Sequence, residues 1–339
     1  MRVTIRDVAK LAGCSQATAA RVLGGYSYAS EETRRKVLAA AEALGYRPNR
    51  LARSMVTGRT QTIGLVVGEI DNPFFAALAR AVIETVREHG YTVLLANSDE
   101  NLRVEEDVLT VMKEQRVDGC VIAPVSSRKT SLDELLRSDM PVVLVDRGLA
   151  GAEVDTVLIE NEEGACQAVS HLIQHGHTRI AVIHGDLDRS SNEERLRGYR
   201  RAFAEAGLPI DESLVRPAYE IEDAYRVVSE LLREPDRPTA LFTAHNHASL
   251  GAVHAIREAG LSVPEDIAVV GFDDTDWATL VKPQLTAVAQ PVYEMGRTAA
   301  ELLLRRMEGD QRPPVRVRIA SRLMIRGSCG DHPDHETAP

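Results

Sequence analysis

The stretch TIRDVAKLAGCSQATAARVL, residues 4–23, contains two short helical patterns separated by a glycine. Thr4 and Asp7 have the spacing of an N-terminal capping box, and apolar residues then repeat at helical intervals up to the glycine. Gly13 ends the first helix, and Ser15 is suited to be the N-cap of the second. Two short helices joined by a tight glycine turn predict a helix-turn-helix, whose second helix enters the major groove of DNA.

A third helix is predicted between Ser30 and Gly45. Ser30 suits the N-cap position, and the acidic residues after it lie at the positive end of the helix dipole. Gly45 stands where a left-handed glycine commonly follows a helix. The buried face of this helix is predicted to consist of Val37, Leu38, Ala41 and Leu44. Residues 1–46 are therefore predicted to form a three-helix DNA-binding domain.

The exposed start of the second helix carries side chains that suit DNA recognition. Gln16 can pair with adenine, Arg21 can pair with guanine, and the Ala17 methyl group can contact a thymine methyl. Ser15 and Thr18 are expected to contact phosphates and to fix the register without reading sequence. The alternative interpretation is a three-helix protein-interaction module with a few surface charges.

The charge of the chain is divided unevenly. Residues 1–60 contain 11 Lys/Arg and 4 Asp/Glu, a balance of +7, within a chain whose net charge is −10. The remaining residues hold 29 basic and 46 acidic groups, a balance of −17. A basic head on an acidic body favours nucleic acid as the partner of the head.

Several features predict a cytoplasmic protein that does not enter a membrane. No apolar run approaches the ~20 residues of a membrane-spanning helix. The N-terminus carries charged residues with no apolar segment behind them, unlike a secretory signal. Four cysteines, far apart and without a CxxC pair, favour reduced thiols over disulfides or a zinc site. They are Cys14, Cys120, Cys166 and Cys329.

Residues 4–55 resemble the N-terminal signature of the lactose-repressor/galactose-repressor (LacI/GalR) family. DVA, the Gly-x-Ser turn, RVL, ETR and GYxPN occur at the separations found in that family, and the resemblance continues to about Arg326. It implies a transcriptional regulator that binds a palindromic operator in double-stranded DNA as a homodimer. It further implies a repressor of carbohydrate-metabolism genes that is controlled by a small-molecule, sugar-like effector and needs no cofactor.

The resemblance also assigns a role to residues 47–60. In the family this hinge folds only on DNA, pairs with its dimer mate and inserts an apolar residue into the minor groove. Met55 would be that residue here, with Ala52 packed beside it. A plain flexible linker is the alternative. The residues expected to contact DNA are Thr4, Ser15, Gln16, Ala17, Thr18, Arg21, Asn49, Arg50, Ala52, Arg53 and Met55.

From Thr62 onward, apolar strands alternate with amphipathic helices, and the alternation restarts near residue 179. This pattern predicts an α/β fold, in which the three-helix head precedes a two-lobed body with doubly wound parallel sheets, similar to periplasmic binding proteins. The predicted strands are 63–67, 91–96, 117–123, 141–146, 179–184, 240–243 and 267–272, and a helix is predicted from about Arg195 to Ala206. The body is predicted over 61–327, with lobe one at about 61–159 and 290–319 and lobe two at about 160–289 and 320–327. Residues 328–339 are predicted to form a disordered tail.

Polar and aromatic side chains follow many of the predicted strands. Ligands of such folds bind beyond the carboxyl ends of the strands, here in the cleft between the lobes. Asp, Asn and Arg make paired hydrogen bonds with hydroxyl groups, while aromatic rings stack on a sugar or base. These positions resemble the family's effector site, in which His245 replaces the common Asn. The candidates are Asp71, Phe74, Phe75, Asp146, Arg189, Arg195, Tyr219, His245, Asn246, Asp273 and Trp277.

Three other functions are weighed against this interpretation. A two-lobed sugar-binding protein without a DNA role would share the body, but it would lack the basic head and carry an export signal. An enzyme would need a nucleophile or a phosphate cradle, and GxSxG, GxGxxG and GxxxxGK[ST] are all missing. The histidines His171, His175 and His177 have partly metal-like spacing, but they also resemble a structural helix end in the family, so no metal site is predicted.

Overall fold

The computed structural model describes residues 3–24, 29–46, 59–128 and 132–330. These residues form two compact units, of which the first runs up to Thr62 and includes Arg116–Asp118. The second contains Ile63–Gln115 and the chain from Gly119 onward. The predicted hinge contacts Asn49, Arg50, Ala52, Arg53 and Met55 lie outside the described residues.

The head contains three helices: α1 (Ile5–Ala12), α2 (Gln16–Leu23) and α3 (Glu31–Ala43). The predicted capping box is present, because the Thr4 amide donates to the Asp7 carboxylate at 2.9 Å. Ser15 and Ser30 cap α2 and α3 by accepting from the amides three residues later. The predicted helix-turn-helix is thus confirmed.

The core of the head differs from the prediction at one position on α3. Val37, Ala40 and Ala41 are buried, whereas Leu38 is 49% exposed. The prediction that Leu38 is buried is wrong, because one step along a helix turns a side chain by about 100°, away from the buried stripe. Gly13 and Gly45 adopt φ angles of 65° and 61°, the left-handed conformation that ends α1 and follows α3.

The body contains two six-stranded sheets, and their orders are β11-β5-β4-β3-β1-β2 and β12-β10-β9-β8-β6-β7. In the first sheet the strands are β1 (Thr62–Val67), β2 (Thr92–Asn97), β3 (Gly119–Ile122), β4 (Val142–Val145), β5 (Asp155–Ile159) and β11 (Arg316–Ile319). In the second sheet they are β6 (Ile180–His184), β7 (Val215–Pro217), β8 (Ala240–Thr243), β9 (Ala268–Phe272), β10 (Thr286–Ala289) and β12 (Arg322–Met324). The central pairs of both sheets are parallel, and β12 runs antiparallel to β10.

Helices flank both sheets, which keeps their central strands buried on both faces. They are α4 (Pro73–Glu88), α5 (Leu102–Glu114), α6 (Asp133–Leu136), α7 (Asn161–Gln174), α8 (Ser190–Glu205), α9 (Ile221–Arg233), α10 (Asn246–Glu258) and α11 (Val292–Met307). The chain passes from one sheet to the other after β5, after β10 and after β11. Two doubly wound lobes therefore face each other with the carboxyl ends of their strands near one cleft, and the predicted fold class is confirmed.

Two boundary predictions are wrong. Helix α8 begins at Ser190, five residues before the predicted start, because polar residues of its first turn are buried in the cleft and do not form an apolar stripe. The tail does not begin at Ser328. Ser328 and Cys329 are buried, and the Ser328 hydroxyl accepts from the Thr286 amide and donates to the Val269 carbonyl.

Candidate effector cavity and DNA-reading helix

A cavity with about 550 Å³ of empty space, including its open mouth, lies between the two lobes. Eight predicted effector residues lie in its wall: Phe74, Phe75, Asp146, Arg189, Arg195, Tyr219, His245 and Asp273. Asp71, Asn246 and Trp277 do not. The wall also contains residues that the sequence did not single out: Glu69, Asn72, Glu100, Arg147, Gly185, Ser191, Asn192, His247 and Gln290.

Two aspartates occupy equivalent positions in the two lobes. Asp146 follows β4 and Asp273 follows β9, and their φ angles are 67° and 77°. Each amide donates to the neighbouring strand, to the Val157 and Val288 carbonyls respectively, at 3.0 Å. Left-handed backbone at a residue other than glycine is uncommon and concentrates at functional sites. The repeated turn places one carboxylate from each lobe in the cavity wall.

Arg195 on α8 is held rigidly. Its Nε donates to Asn161 Oδ1 at 2.9 Å, and its Nη1 donates to the Ala244 carbonyl at 2.8 Å. The guanidinium carbon lies 3.8 Å from the centre of the Phe272 ring, in a cation–π contact. These contacts fix the direction of the side chain before any ligand arrives.

Asn246 and Trp277 act behind the cavity wall. The backbone amide of Asn246 donates to Asp273 Oδ2 at 3.0 Å, and the Trp277 indole donates to the side-chain Oδ1 of Asn246 at 2.9 Å. Asn246 thus orients Asp273 from outside the cavity, and Trp277 holds the Asn246 side chain. The sequence placed them at strand ends correctly, but it did not show which side chain turns inward.

Aromatic rings enter the cavity from the start of α4. Phe74 and Phe75 pack edge to face with ring centres 5.1 Å apart. Asn72 caps this helix by accepting from the Phe74 amide at 3.1 Å, and it lines the cavity, whereas its neighbour Asp71 is exposed. The prediction therefore missed the lining residue by one position, because either residue could have capped the helix.

His245 lines the cavity, and both of its ring nitrogens are hydrogen-bonded to the protein. Its Nδ1 accepts from the Ala248 amide at 3.3 Å, and its Nε2 donates to the Ala218 carbonyl at 3.0 Å. Burial lowers the pKa of His245 to about 3, so the ring is neutral at physiological pH. The ring can pack against a ligand but does not carry charge into the cavity.

Glu100 and Arg147 form a buried ion pair in the cavity wall. Arg147 Nη1 and Nη2 each donate to a different Glu100 oxygen at 2.7 Å, and Arg189 Nη2 lies 3.4 Å from Glu100 Oε2. Burial alone would raise the pKa of Glu100, but the Arg147 charge and hydrogen bonds lower it below its usual value. Sequence reasoning missed this pair because its two members lie 47 residues apart.

The head presents the predicted DNA-reading side chains to solvent. Gln16, Ala17 and Arg21 are exposed on α2. Ser15 and Thr18 are joined at the start of this helix, since the Thr18 amide donates to Ser15 Oγ at 3.1 Å. The Thr4 hydroxyl donates to Asp7 at 2.7 Å, and this bond contributes most to lowering the pKa of Asp7.

The three histidines considered as metal ligands have separate partners. His171 Nε2 lies 3.1 Å from Cys329 Sγ, His175 Nδ1 lies 2.7 Å from the His171 carbonyl, and His177 Nδ1 lies 3.0 Å from Thr239 Oγ1. Within the described ranges, no cluster of three or more His, Cys, Asp or Glu residues is arranged to hold a metal ion. None of the helices in those ranges is long and apolar enough to cross a membrane.

The chain matches two known sequence families. The profile of bacterial regulatory proteins of the lacI family matches residues 4–49, and that of the periplasmic binding protein-like domain matches residues 169–329. Catabolite control protein A of Priestia megaterium is 37% identical over 330 residues, which cover 97% of this chain and 99% of that protein. The HTH-type transcriptional repressor PurR of Photobacterium profundum is 35% identical over the same length, with the same coverage.

Solved structures agree with these matches. A complex of the transcriptional regulator CelR with cellobiose aligns with a TM-score of 0.74 at 36% identity, covering 96% of this chain and all of that one. The lac repressor dimer bound to operator and the anti-inducer ONPF aligns with a TM-score of 0.86 at 25% identity, covering 98% of this chain and 100% of that one. These alignments extend over the head as well as the two lobes.

Proposed function

Because the chain belongs to the lacI family of bacterial regulatory proteins, we propose that it represses carbohydrate-metabolism genes and that a sugar-like effector relieves the repression. It is a DNA-binding transcriptional regulator with a body built to bind a small molecule. The proposed operator is palindromic, and the proposed active species is a homodimer, as in the operator complex of the lac repressor. Such a regulator would work where the DNA is, in the cytoplasm.

The observation that carries the effector assignment is the pair of strand-end aspartates facing one cavity with Arg195. Carboxylates and a guanidinium group each make paired hydrogen bonds to vicinal hydroxyl groups, and Phe74 and Phe75 add apolar ring surface. CelR, which covers almost the same length, was solved with cellobiose. A sugar or sugar derivative is therefore the proposed effector class.

The DNA assignment rests on the exposed start of α2 and on the positive charge of the head. The proposed division of labour is a DNA-binding domain at 1–46, a hinge at 47–60 and an effector-binding body from residue 61 to beyond Ser328. The proposed DNA contacts are Thr4, Ser15, Gln16, Ala17, Thr18, Arg21 and the hinge residues Asn49, Arg50, Ala52, Arg53 and Met55.

We propose binding without catalysis. The relatives are transcriptional regulators. Both His245 nitrogens are engaged by the protein, so this ring is not placed to move a proton. The effector acts by its difference in affinity for the DNA-binding and DNA-releasing states.

Two single variants separate the halves of this function. After operators are selected from random duplex DNA, Arg21→Ala is expected to weaken specific binding by ~1–3 kcal/mol and to relax preference at one base. Asp273→Asn keeps a side chain that tolerates left-handed backbone. It is expected to weaken the effector response while leaving operator affinity unchanged.

The matched control is Asp236→Ala, at a carboxylate that is 86% exposed and outside the cavity. Operator affinity is measured by fluorescence anisotropy, with and without each member of a panel of sugars, sugar phosphates, sugar acids and polyols. Equal affinity of the wild-type protein for operator and random duplex would refute the DNA assignment. A normal effector response in Asp273→Asn would refute the cavity assignment.

A further inference from the structure

Three arginines line the proposed effector cavity: Arg147, Arg189 and Arg195. A cluster of guanidinium groups is the usual way to bind phosphate or carboxylate, because the planar fork matches two oxygens. Taken alone, this cluster would favour an anionic ligand such as a sugar phosphate. The contacts of each arginine point the other way.

Glu100 already occupies two of the three guanidinium groups. The Glu100 carboxylate accepts from both Nη atoms of Arg147 at 2.7 Å, and its Oε2 lies 3.4 Å from Arg189 Nη2. The Glu100 side chain is only 9% exposed. Arg147 also donates to the Pro124 carbonyl at 3.2 Å. Arg195 is engaged by Asn161, the Ala244 carbonyl and the Phe272 ring.

The backbone is shaped to hold Glu100 in this place. Asp99 and Glu100 adopt φ angles of 49° and 50°, two consecutive left-handed residues after β2. The Glu100 carboxylate lies against Gly68, where an added Cβ would be only 2.2 Å from Oε1 and 2.6 Å from Cδ. The left-handed loop and the lack of a Cβ at Gly68 thus make room for the Glu100 carboxylate, as expected of a functional position.

The rest of the cavity is rich in acceptors. Asp146, Asp273 and Glu69 add three carboxylates to Glu100, against three guanidinium groups, and His245 is neutral. Among the described residues of the cavity wall, buried Arg147 Nε, Arg189 Nε and Gln290 Oε1 lack a hydrogen-bond partner. Arg147 Nε lies 3.0 Å from the Asp146 carboxylate, which leaves Arg189 Nε and Gln290 Oε1. One donor and one acceptor of this kind suit a hydroxyl group, which can serve both.

We infer that Glu100 is a specificity-determining residue that closes the cavity to anions, so that the effector is a hydroxyl-rich compound without a phosphate or carboxylate group. This inference rests on the proposed function, because it concerns the same cavity. An anion would have to displace Glu100 from its ion pair with Arg147. The Glu100 carboxylate would then lie unpaired in a cavity that already holds the carboxylates of Asp146, Asp273 and Glu69. An uncharged sugar needs no such displacement.

The test compares wild type with Glu100→Gln, using inorganic sulfate as the probe at constant ionic strength. The matched control is Glu193→Gln, which also removes a carboxylate bonded to an arginine, Arg128 at 2.9 Å, but lies outside the cavity wall. Thermal shift and calorimetry are expected to show no saturable sulfate binding by wild type or the control. Glu100→Gln is expected to bind sulfate saturably, at least about tenfold more tightly than the weakest affinity that the measurement detects, because charge-assisted hydrogen bonds become available.

A second measurement starts from the wild-type protein. Wild type is titrated with matched pairs of neutral sugars and their 6-phosphates or acids, and stabilisation and operator binding are recorded. Stabilisation confined to neutral members supports the inference. Saturable binding of a sugar phosphate or sugar acid that is lost in Arg147→Gln overturns it, and so does a folded Glu100→Gln variant that gains no sulfate affinity.

These outcomes are distinguishable from failure of the proposed function. If Glu100→Gln gains sulfate binding but no ligand changes operator affinity, the charge argument stands and the effector role fails. If a sugar phosphate controls operator binding, the effector role stands and the inference about Glu100 fails.

Discussion

Asp146 shows how one residue in this protein combines an unusual backbone angle with a buried charge. Its φ angle is 67°, and its side chain lies 3.0 Å from the adjacent Arg147 Nε. Burial raises the pKa of Asp146, and the charges of Arg147 and Arg195 offset this only in part. The carboxylate is kept in the cavity wall at a cost in stability, as is common at binding sites.

Asp146→Asn is expected to flatten the dependence of stability on pH. The folded-state pKa of Asp146 is above its ordinary value of 3.8, so the folded state holds this proton more tightly than the unfolded state does. The free energy of unfolding therefore falls as pH rises from the unfolded-state pKa through the folded-state pKa, and near neutral pH that stabilisation is absent. Asn is uncharged and tolerates left-handed backbone, so the free energy of unfolding of the variant does not fall in this way as pH rises.

The measurement is the urea midpoint of both proteins between pH 4 and pH 7, with effector affinity determined alongside. We expect the variant to gain stability relative to wild type as pH rises, and to bind the effector more weakly. Parallel pH profiles for the two proteins would show that Asp146 does not carry the buried charge described.

Single residues of the cavity were predictable from sequence where they lie within two residues of the end of a strand. Asp146, His245 and Asp273 are such residues, since the carboxyl ends of parallel strands meet at one edge. Glu100 and Arg147 were not predicted as a pair, because their contact depends on a left-handed loop that leaves no periodic pattern. The inward or outward direction of Asp71, Asn246 and Trp277 depends on helix caps and hydrogen bonds that appear only in the folded chain.

Among the described strands, position in the sheet does not decide which ones were predicted, because the edge strand β2 was predicted to within one residue while the buried strands β5 and β10 were not predicted. Strand β8 occupies its predicted residues, and β1, β3, β4, β6 and β9 differ from prediction by a residue or two at their ends. Strands β5, β7, β10, β11 and β12 were not predicted. Of these, β11 and β12 are short, partly exposed and rich in arginine, so they lack a continuous apolar run. Their partners come from distant parts of the chain, which local sequence does not reveal.

The first strand of the body begins at a small clamp made by Asp118. Its carboxylate accepts from the Thr60 amide at 2.8 Å, the Thr60 hydroxyl at 3.0 Å and the Gln61 amide at 2.9 Å. Gln61 has a φ angle of 54°. Thr60 is the last residue of the segment proposed as the DNA-contacting hinge, so the clamp fixes the end of that segment.

Asp118→Ala is expected to lower the free energy of unfolding by about 1–3 kcal/mol, because two backbone donors lose a charged acceptor. It is also expected to weaken operator binding while effector affinity stays close to the wild-type value. Chemical denaturation, anisotropy and calorimetry measure the three quantities. Asp107→Ala, an exposed position on α5, is the control. Unchanged operator affinity in a destabilised Asp118→Ala protein would mean that the clamp serves stability alone.

In the whole molecule, a chain of polar contacts runs from one sheet across to the proposed effector cavity. Arg318 on β11, at the edge of the first sheet, holds Glu194 on α8 through two bonds of 3.1 and 2.6 Å. Glu194 accepts from Asn161 Nδ2 at 3.2 Å, and Asn161 Oδ1 accepts from Arg195 at 2.9 Å. The network joins the residues on which a ligand is proposed to act to the strand that leads from one lobe to the other.

Arg318→Gln tests whether this network carries the coupling between effector and operator. Coupling between two ligands is reciprocal, so the factor by which effector changes operator affinity equals the factor by which operator changes effector affinity. Such factors are commonly about 5- to 150-fold, and we expect Arg318→Gln to reduce the factor several-fold. The reason is that a shortened, uncharged side chain no longer holds Glu194, which leaves Asn161 and Arg195 free to move independently of β11.

Both factors are measured by titrating operator at zero and saturating effector, and effector at zero and saturating operator. Arg316→Gln, two residues earlier on the same strand and exposed, is the matched control. Agreement of the two factors within each protein verifies that the thermodynamic cycle is closed. A coupling factor that falls in Arg318→Gln but not in Arg316→Gln then assigns the coupling to the network. If the two variants and wild type have the same coupling factor, the lobes communicate by another route. The ion pairs Arg189–Glu100 and His247–Glu69 across the cavity are then the next to be replaced.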